Sequence, residues 1–165
     1  MKTKEFSFPS SSKLCDIKCK MYIPDGEIKY ILQVVHGMQE YFGRYDAFAT
    51  FLASKDVLVV GCDLLGHGNS TVDDNHLGYF APKDGDLCVL KDIHELTLIT
   101  KKEYPNIPYY ILGHSMGSFF VRRYMFTYDE DLAGMIIMGT GYQALPLVKA
   151  GKLMANLISK TKGLA

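Results

Sequence analysis

The sequence predicts an α/β protein with a mostly parallel sheet and helices on both faces of that sheet. Three observations support this class. The chain has 165 residues, the length of a single domain. Short apolar runs alternate with stretches that are apolar at helical spacing. Several of the short runs are apolar throughout, which is typical of strands that are covered on both sides.

Two strands are predicted first, at residues 5–8 and 17–23. One face of the second strand carries the apolar residues Ile17, Cys19, Met21 and Ile23. The turn Pro24-Asp25-Gly26 ends this strand. A third strand is predicted at residues 30–35, a continuous apolar run closed by His36-Gly37, and we expect both of its faces to be buried.

Helices and strands then alternate along the chain. A helix is predicted at residues 44–54, and its apolar side consists of Phe48, Phe51 and Leu52. A buried strand follows at 57–61. Asp86 is the expected N-cap of a long helix that reaches about Glu103. The apolar stripe of that helix consists of Val89, Leu90, Ile93, Leu96 and Ile99.

The last elements complete a six-stranded core over residues 1–141. A short strand at 109–112, a helix at 116–128 that is apolar on most sides and a strand at 133–138 are predicted in turn. Residues 142–165 differ from this core, because apolar residues at helical spacing alternate there with lysines. A basic amphipathic helix of this kind is compatible with transient contact with a membrane surface.

Composition argues against several classes of function. Lys+Arg and Asp+Glu number 18 each, so no overall charge favours nucleic acid as a partner. The four cysteines lack the spacing of paired motifs, which indicates reduced thiols in a reducing compartment. The N-terminus has no apolar leader segment, and no run reaches the roughly 18 apolar residues of a membrane span. The expected location is therefore the cytoplasm.

Ser115 is the candidate nucleophile. It lies in Gly113-His114-Ser115-Met116-Gly117, between a predicted apolar strand and a predicted apolar helix. Gly-x-Ser-x-Gly in this context is the nucleophile elbow of α/β-hydrolases, a sharp turn that exposes the serine hydroxyl. The partners of such a serine are an acid and then a histidine further along the chain. All five histidines precede Ser115, so we expect this chain to contain the nucleophile without its base.

The backbone N–H groups of Met38 and Met116 are the candidate oxyanion-hole donors. Such a hole needs two N–H groups near the reacting oxygen. One comes from the residue after the nucleophile, and the other comes from the loop after the third strand. In that loop, His36 is expected to order the backbone rather than act as a base.

Other polar residues around the two motifs have a structural and a functional interpretation. Glu40 and Arg44 are spaced for an ion pair, or they contact polar groups of a substrate. Gly37 and His114 likewise either order the loops or contact substrate. His67 and His76, with Asp63 and Asp73, fit no usual metal-ligand spacing, so neither a metal nor another cofactor is expected.

Three segments in order resemble the monoacylglycerol lipase and lysophospholipase branch of the α/β-hydrolase superfamily, whose relatives include serine aminopeptidases. These segments are residues 36–45 (HGMQEYFGRY), 63–70 (DLLGHGNS) and 113–117 (GHSMG). The resemblance implies that 142–165 begins a helical cap inserted after strand six. It also implies that later strands, absent from this sequence, carry the catalytic Asp and His. Asp129 and Asp131 follow the nucleophile helix too soon to serve as the triad acid.

The resemblance implies that the complete protein is a cytoplasmic serine hydrolase for a carboxylic ester, either a monoacylglycerol or a lysophospholipid. Two alternatives stay open. An aminopeptidase of the same fold would need an acidic group for the free amine of its substrate. A non-catalytic binding module would keep the sheet and pocket without a base, and this chain alone is expected to be inactive.

Overall fold

A computed structural model of the chain describes residues 1–128 and 132–162 and contains one six-stranded sheet. The strands are β1 (Lys2–Pro9), β2 (Asp16–Ile23), β3 (Tyr30–Val35), β4 (Val57–Cys62), β5 (Tyr109–His114) and β6 (Gly134–Met138). Their order across the sheet is β1-β2-β4-β3-β5-β6. Strands β4, β3, β5 and β6 are parallel, and β1 and β2 are antiparallel additions at one edge. The predicted α/β class is confirmed.

Helices cover both faces of the sheet. They are α1 (Asp46–Ala53), α2 (Gly85–Glu103) and α3 (Met116–Thr127). A fourth helix, α4 (Leu145–Lys162), is largely exposed, and 3-10 turns lie at Phe42–Tyr45 and Asp74–His76. One hydrophobic core lies between the sheet and α1, and a larger one lies between the opposite face and helices α2 and α3. Because the carboxyl ends of parallel strands meet at one edge, the loops after β3, β4 and β5 converge there.

Two details of the predicted helices are wrong. The N-cap of α2 is Asp84, in the left-handed region at φ 51°, and not Asp86. Asp86 lies inside the first turn, where its carboxylate accepts a hydrogen bond from Arg123 of α3 at 2.5 Å. In α1 the fully buried side is small, with Ala49 and Ala53, because this short helix lies directly against the sheet. Phe48 and Phe51, expected on the buried side, are exposed; their partner Leu52 is partly buried and contacts the core.

A polar side chain lies at the centre of the sheet, in a strand that was expected to be apolar throughout. The Gln33 amide of β3 donates to the Ile93 carbonyl at 2.9 Å. Its oxygen accepts from Thr97 Oγ1 at 2.8 Å and from the Tyr109 hydroxyl at 2.6 Å. Gln33 is 1 % exposed, so these bonds replace the water that a buried amide loses. They fix α2 against the two central strands.

The C-terminal part of the described chain is largely exposed. Ile136, Ile137 and Met138 of β6 are between 38 % and 45 % exposed, and most side chains of α4 face solvent. Helix α4 lies within the predicted cap, but the boundary between 1–141 and 142–165 stays a prediction. Asp129 and Asp131 lie outside the described residues. No helix within residues 1–128 and 132–162 is both long and apolar enough to cross a membrane.

Candidate active site

Ser115 stands on a strained turn between β5 and α3. Its φ of 51° and ψ of −116° lie outside the regions that residues with a side chain normally occupy. The Ser115 N–H donates to the Met138 carbonyl at 2.9 Å, which ties the turn to the end of β6. Ser118, one turn further on, donates its hydroxyl back to the Ser115 carbonyl at 2.5 Å. The elbow that the sequence predicts is therefore present and fixed on two sides.

The two glycines of the elbow are required by close backbone packing. A Cβ on Gly113 would lie 2.5 Å from the carbonyl oxygen of Gly117. A Cβ on Gly117 would lie 2.6 Å from the His36 carbonyl oxygen and closer still to that of Val35. No real Cβ approaches so closely, so only glycine lets the start of α3 rest on the end of β3.

The loop after β3 lies beside Ser115. A Cβ on Gly37 would lie 3.1 Å from the Cβ of Ser115, so the backbone passes directly beside the serine. Met38 follows Gly37, and Met116 is the first residue of α3, whose N–H has no acceptor within its own helix. Met38 and Met116 line the same cavity of about 710 Å³. The two predicted oxyanion donors thus belong to residues that line one cavity.

The wall of this cavity is formed by three loops. Besides the two methionines it includes Gln39, Glu40, Tyr41, Gly66, His67, Gly68, Leu77, Gly78 and Phe80. The lining is largely apolar, and Glu40 is the acidic residue in it. Tyr41, Leu77 and Phe80 were not predicted as site residues, because their contribution depends on how the loops after β3 and β4 pack together. Space of this size and character suits an acyl chain.

The carboxylate of Glu40 joins the loop after β3 to the turn that carries Ser115. Its Oε1 accepts a hydrogen bond from the Gly37 N–H, from the Tyr45 hydroxyl at 3.0 Å and from His114 Nδ1 at 2.9 Å. Desolvation raises the pKa of Glu40, but the hydrogen bonds from His114, Gly37 and Tyr45 outweigh it and hold this pKa below its usual value. Glu40 is therefore an anion at neutral pH.

Arg44, the other member of the predicted ion pair, is only a distant neighbour of Glu40. Its Nε lies 3.9 Å from Glu40 Oε2, and its side chain is 62 % exposed, whereas that of Glu40 is 12 % exposed. An exposed pair at this separation contributes little. Tyr45 has the stronger contact with Glu40 and was missed as a site residue, although it lies within the same sequence segment, 36–45.

His36 orders two loops and is unsuited to act as a base. It is fully buried, and its Nε2 accepts the Leu64 N–H at 2.9 Å, so its proton is on Nδ1, which donates to the Gly37 carbonyl at 2.8 Å. Burial lowers the pKa of His36 and keeps the ring neutral. Asp63 acts on the adjoining loop by accepting the N–H groups of Phe42 and Asn69 at 2.9 and 2.8 Å.

The remaining histidines are engaged away from Ser115. His67 Nδ1 bonds the Leu65 carbonyl, His76 pairs with Asp73 at 2.7 Å, and His94 stacks on Tyr128 and bonds the Tyr124 hydroxyl. Among residues 1–128 and 132–162, each histidine ring thus bonds a partner other than Ser115. In the same part of the chain, no group of three or more His, Cys, Asp or Glu side chains is arranged to hold a metal ion.

Known proteins are similar to this chain in sequence. The chain is 34% identical over 99 residues to the monoglyceride lipase of Mus musculus, and the match covers 60% of this chain and 31% of that protein. A monoacylglycerol lipase of Mycolicibacterium smegmatis is 28% identical over 124 residues, with coverage of 75% and 42%. The chain therefore spans between about a third and two fifths of the length of these relatives.

Solved structures and a family model agree with these matches. A thermostable carboxyl esterase from Bacillus coagulans superposes with a TM-score of 0.87 at 32% identity, covering 99% of this chain and 52% of that one. The predicted resemblance to the monoacylglycerol lipase branch is confirmed. The model of the family described as serine aminopeptidase, S33, matches residues 26–163. Because this match covers most of the sequence, the chain belongs to the serine aminopeptidase S33 family of α/β-hydrolases.

Proposed function

We propose that the whole protein is a serine hydrolase that cleaves carboxylic esters of the monoacylglycerol type. The observation that carries this proposal is the position of Ser115 on its strained elbow, directly beside Gly37 and next to Met116, which lines a largely apolar cavity of about 710 Å³. Relatives named monoglyceride lipase and carboxyl esterase support the same chemistry.

The reaction has two half-steps. Ser115 Oγ attacks the ester carbonyl, and the N–H groups of Met38 and Met116 stabilise the negative oxygen of the tetrahedral intermediate. A histidine, oriented by an aspartate, takes the serine proton and delivers it to the leaving alcohol. Water then hydrolyses the acyl-serine by the same route and releases the fatty acid. No cofactor takes part in these steps.

The base and its acid come, in this proposal, from a segment encoded after Ala165. The histidines of residues 1–165 all precede Ser115, and His36 is held neutral between two loops. The coding sequence beyond Ala165 is the first check. An Asp followed by a His at the ends of two further strands supports the hydrolase, and a stop codon at that point favours a non-catalytic binding module.

Aminopeptidase activity, which the family's description names, is less well supported than ester hydrolysis. It would need a carboxylate free to bind the amino group of a substrate. In the described part of the chain, Glu40 is the carboxylate that lines the cavity, and three donors already occupy its Oε1. A lysophospholipid is the nearest alternative substrate among esters, and it differs only in the head group.

Helix α4 is proposed to make transient contact with a membrane surface, where a lipid substrate resides. It presents exposed Leu153, Met154, Leu157 and Ile158, with Lys149, Lys152 and Lys160 also exposed, and residues 132–162 contain no acidic residue. An apolar face edged by lysines suits an anionic interface.

The four cysteines of the described chain are free thiols, which agrees with a cytoplasmic location.

The test uses the whole protein, including every residue encoded after Ala165. We expect hydrolysis of a monoacylglycerol that is lost in Ser115→Ala, and labelling by a fluorophosphonate probe at Ser115 alone among the chain's nine serines. A matched control is Ser54→Ala, an exposed serine at the end of α1. Labelling at Ser70 or Ser118, or full activity in Ser115→Ala, contradicts the proposal.

A further inference from the structure

We propose that Glu40 is a positioning residue that sets the separation between the two halves of the oxyanion hole. This inference rests on the proposed function, because it assigns a role within the same site. Its basis is a single carboxylate oxygen, Oε1, that accepts hydrogen bonds from the loop after β3 and from the strand that carries the nucleophile.

The first half of the argument concerns the loop of residues 37–40. The Gly37 N–H donates to the side chain of Glu40, three residues further on, and this bond closes the loop into a tight turn. Gln39, inside the turn, has a φ of 57°, in the left-handed region that residues with a side chain seldom adopt. Such a backbone persists only where other contacts hold it. The orientation of the Met38 peptide therefore depends on Glu40.

The second half concerns the elbow. Strands β3 and β5 pair as far as Val35 and Gly113, and beyond that pair the two chains separate into different loops. His114 is the next residue on β5, directly before Ser115, and its Nδ1 lies 2.9 Å from Glu40 Oε1. An ionised carboxylate only accepts hydrogen bonds, so His114 donates. Glu40 thus continues the connection between β3 and β5 where their ladder stops.

The environment of Glu40 suits this task. Its side chain is 12 % exposed, and the Tyr45 hydroxyl bonds the same oxygen from the start of α1. Charge-assisted hydrogen bonds of a partly buried carboxylate are short and strong, so they hold geometry well. Three of the protein's own donors bind Oε1, whereas Oε2 has the distant Arg44 Nε at 3.9 Å.

Loss of the link should reduce turnover more than binding. The Met38 and Met116 N–H groups act on charge that develops in the transition state, and a small misplacement there costs rate without weakening ground-state binding. For Glu40→Gln in the whole protein, we expect kcat to fall about 10- to 100-fold, with KM changed less than about 3-fold. His114→Asn should act similarly, and the double variant should be little worse than either single one.

The matched control is Glu103→Gln. Glu103 is also an ion-paired glutamate, bound to Lys4 Nζ at 2.6 Å, but it lies at the end of α2, outside the cavity wall. We expect its kcat to equal that of the original protein. A Glu40→Gln variant with raised KM and unchanged kcat would assign Glu40 to substrate binding and overturn the inference, and so would a variant with both constants unchanged.

A second measurement separates this inference from the proposed function. Selective ¹⁵N labelling of glycine and methionine reports the Gly37, Met38 and Met116 amides, with no need for turnover. Glu40→Gln should shift the Gly37 and Met38 signals and also that of Met116, across the site, while Glu103→Gln leaves all three in place. If Met116 does not respond, Glu40 does not connect the two halves. If the protein lacks esterase activity but Met116 responds, only the proposed function fails.

Discussion

At the scale of single residues, the site depends on backbone conformations that are unfavourable in isolation. Ser115 and Gln39 have φ values of 51° and 57°, and such positions cost of the order of 1–3 kcal/mol each. At Ser115 this strain is held by packing, because Gly113 and Gly117 allow the start of α3 to lie on the end of β3. Strain therefore occurs where the fold needs a serine hydroxyl to project from a turn.

The close packing of the backbone around Gly117 predicts that adding one methyl group there lowers the stability of the fold. Gly117→Ala should destabilise the fold by about 1–3 kcal/mol, because its methyl group would overlap two backbone carbonyls that cannot move aside. Urea unfolding measures the difference. The matched control is Gly151→Ala in α4, where a Cβ meets open space and alanine favours the helix. Equal stability of the original protein and Gly117→Ala would contradict the close packing.

His36 predicts a dependence of stability on pH. Burial holds its folded pKa below the ordinary value of 6.5, so the fold favours the neutral ring. The stabilisation is complete above pH 6.5 and is lost as the pH falls from there towards the folded pKa, because the unfolded chain then binds the proton more readily. The free energy of unfolding, measured from pH 8 to pH 5, should decline over this window. His36→Asn should remove that part of the slope, and an unchanged slope would contradict the assignment.

At the scale of elements, local pattern predicted most boundaries, and tertiary contacts decided the remainder. The strand at 30–35 and the start of α3 at Met116 match the structure, because a buried apolar run and a Gly-x-Ser-x-Gly turn are local signals. The buried side of α1 does not, since close approach to the sheet selects alanine over phenylalanine. The bond between Glu40 and His114 joins residues 74 apart in sequence, so no local pattern reports it.

The polar centre of the sheet gives a prediction for these elements. Gln33→Leu should cost about 1–3 kcal/mol, because it leaves the buried hydroxyls of Thr97 and Tyr109 without their shared acceptor. Tyr109→Phe in that background should then cost less than it does alone, since the hydroxyl has already lost Gln33 as its acceptor. Chemical unfolding of the four proteins measures this coupling. Tyr30→Phe, at an exposed position on β3, is the control and should change little.

At the scale of the whole molecule, the two edges of the described sheet differ. Strand β1 is mostly polar in its first half and carries Lys2 and Lys4, and such charged side chains discourage pairing of an edge strand with other chains. Strand β6 has the sequence GMIIM, and Ile136, Ile137 and Met138 are exposed. An exposed apolar edge strand is a template for association.

The β6 edge predicts that the 165-residue chain associates. It should bind a hydrophobic dye and form concentration-dependent oligomers, detected by light scattering. Ile137→Lys should reduce both, because a charge on the edge opposes strand pairing. The control is Thr3→Lys on the opposite edge strand, which should leave both unchanged. A monomeric chain that does not bind dye would show that β6 is less accessible than its exposure indicates.

The final prediction concerns catalysis by residues 1–165 alone. This chain should hydrolyse p-nitrophenyl esters no faster than its Ser115→Ala variant, because a serine hydroxyl without a base remains a weak nucleophile. The proposed oxyanion donors and the cavity persist in both proteins, and what remains when a triad member is missing is a residual acceleration of about 10³–10⁴-fold over water. Stopped-flow release of p-nitrophenol measures the comparison, with Ser54→Ala as the control for an exposed serine. A burst that depends on Ser115 would require a base within the chain. His114 would then be the first to test, since it adjoins Ser115 and its side chain is 37 % exposed, and its loss in His114→Asn should abolish the burst.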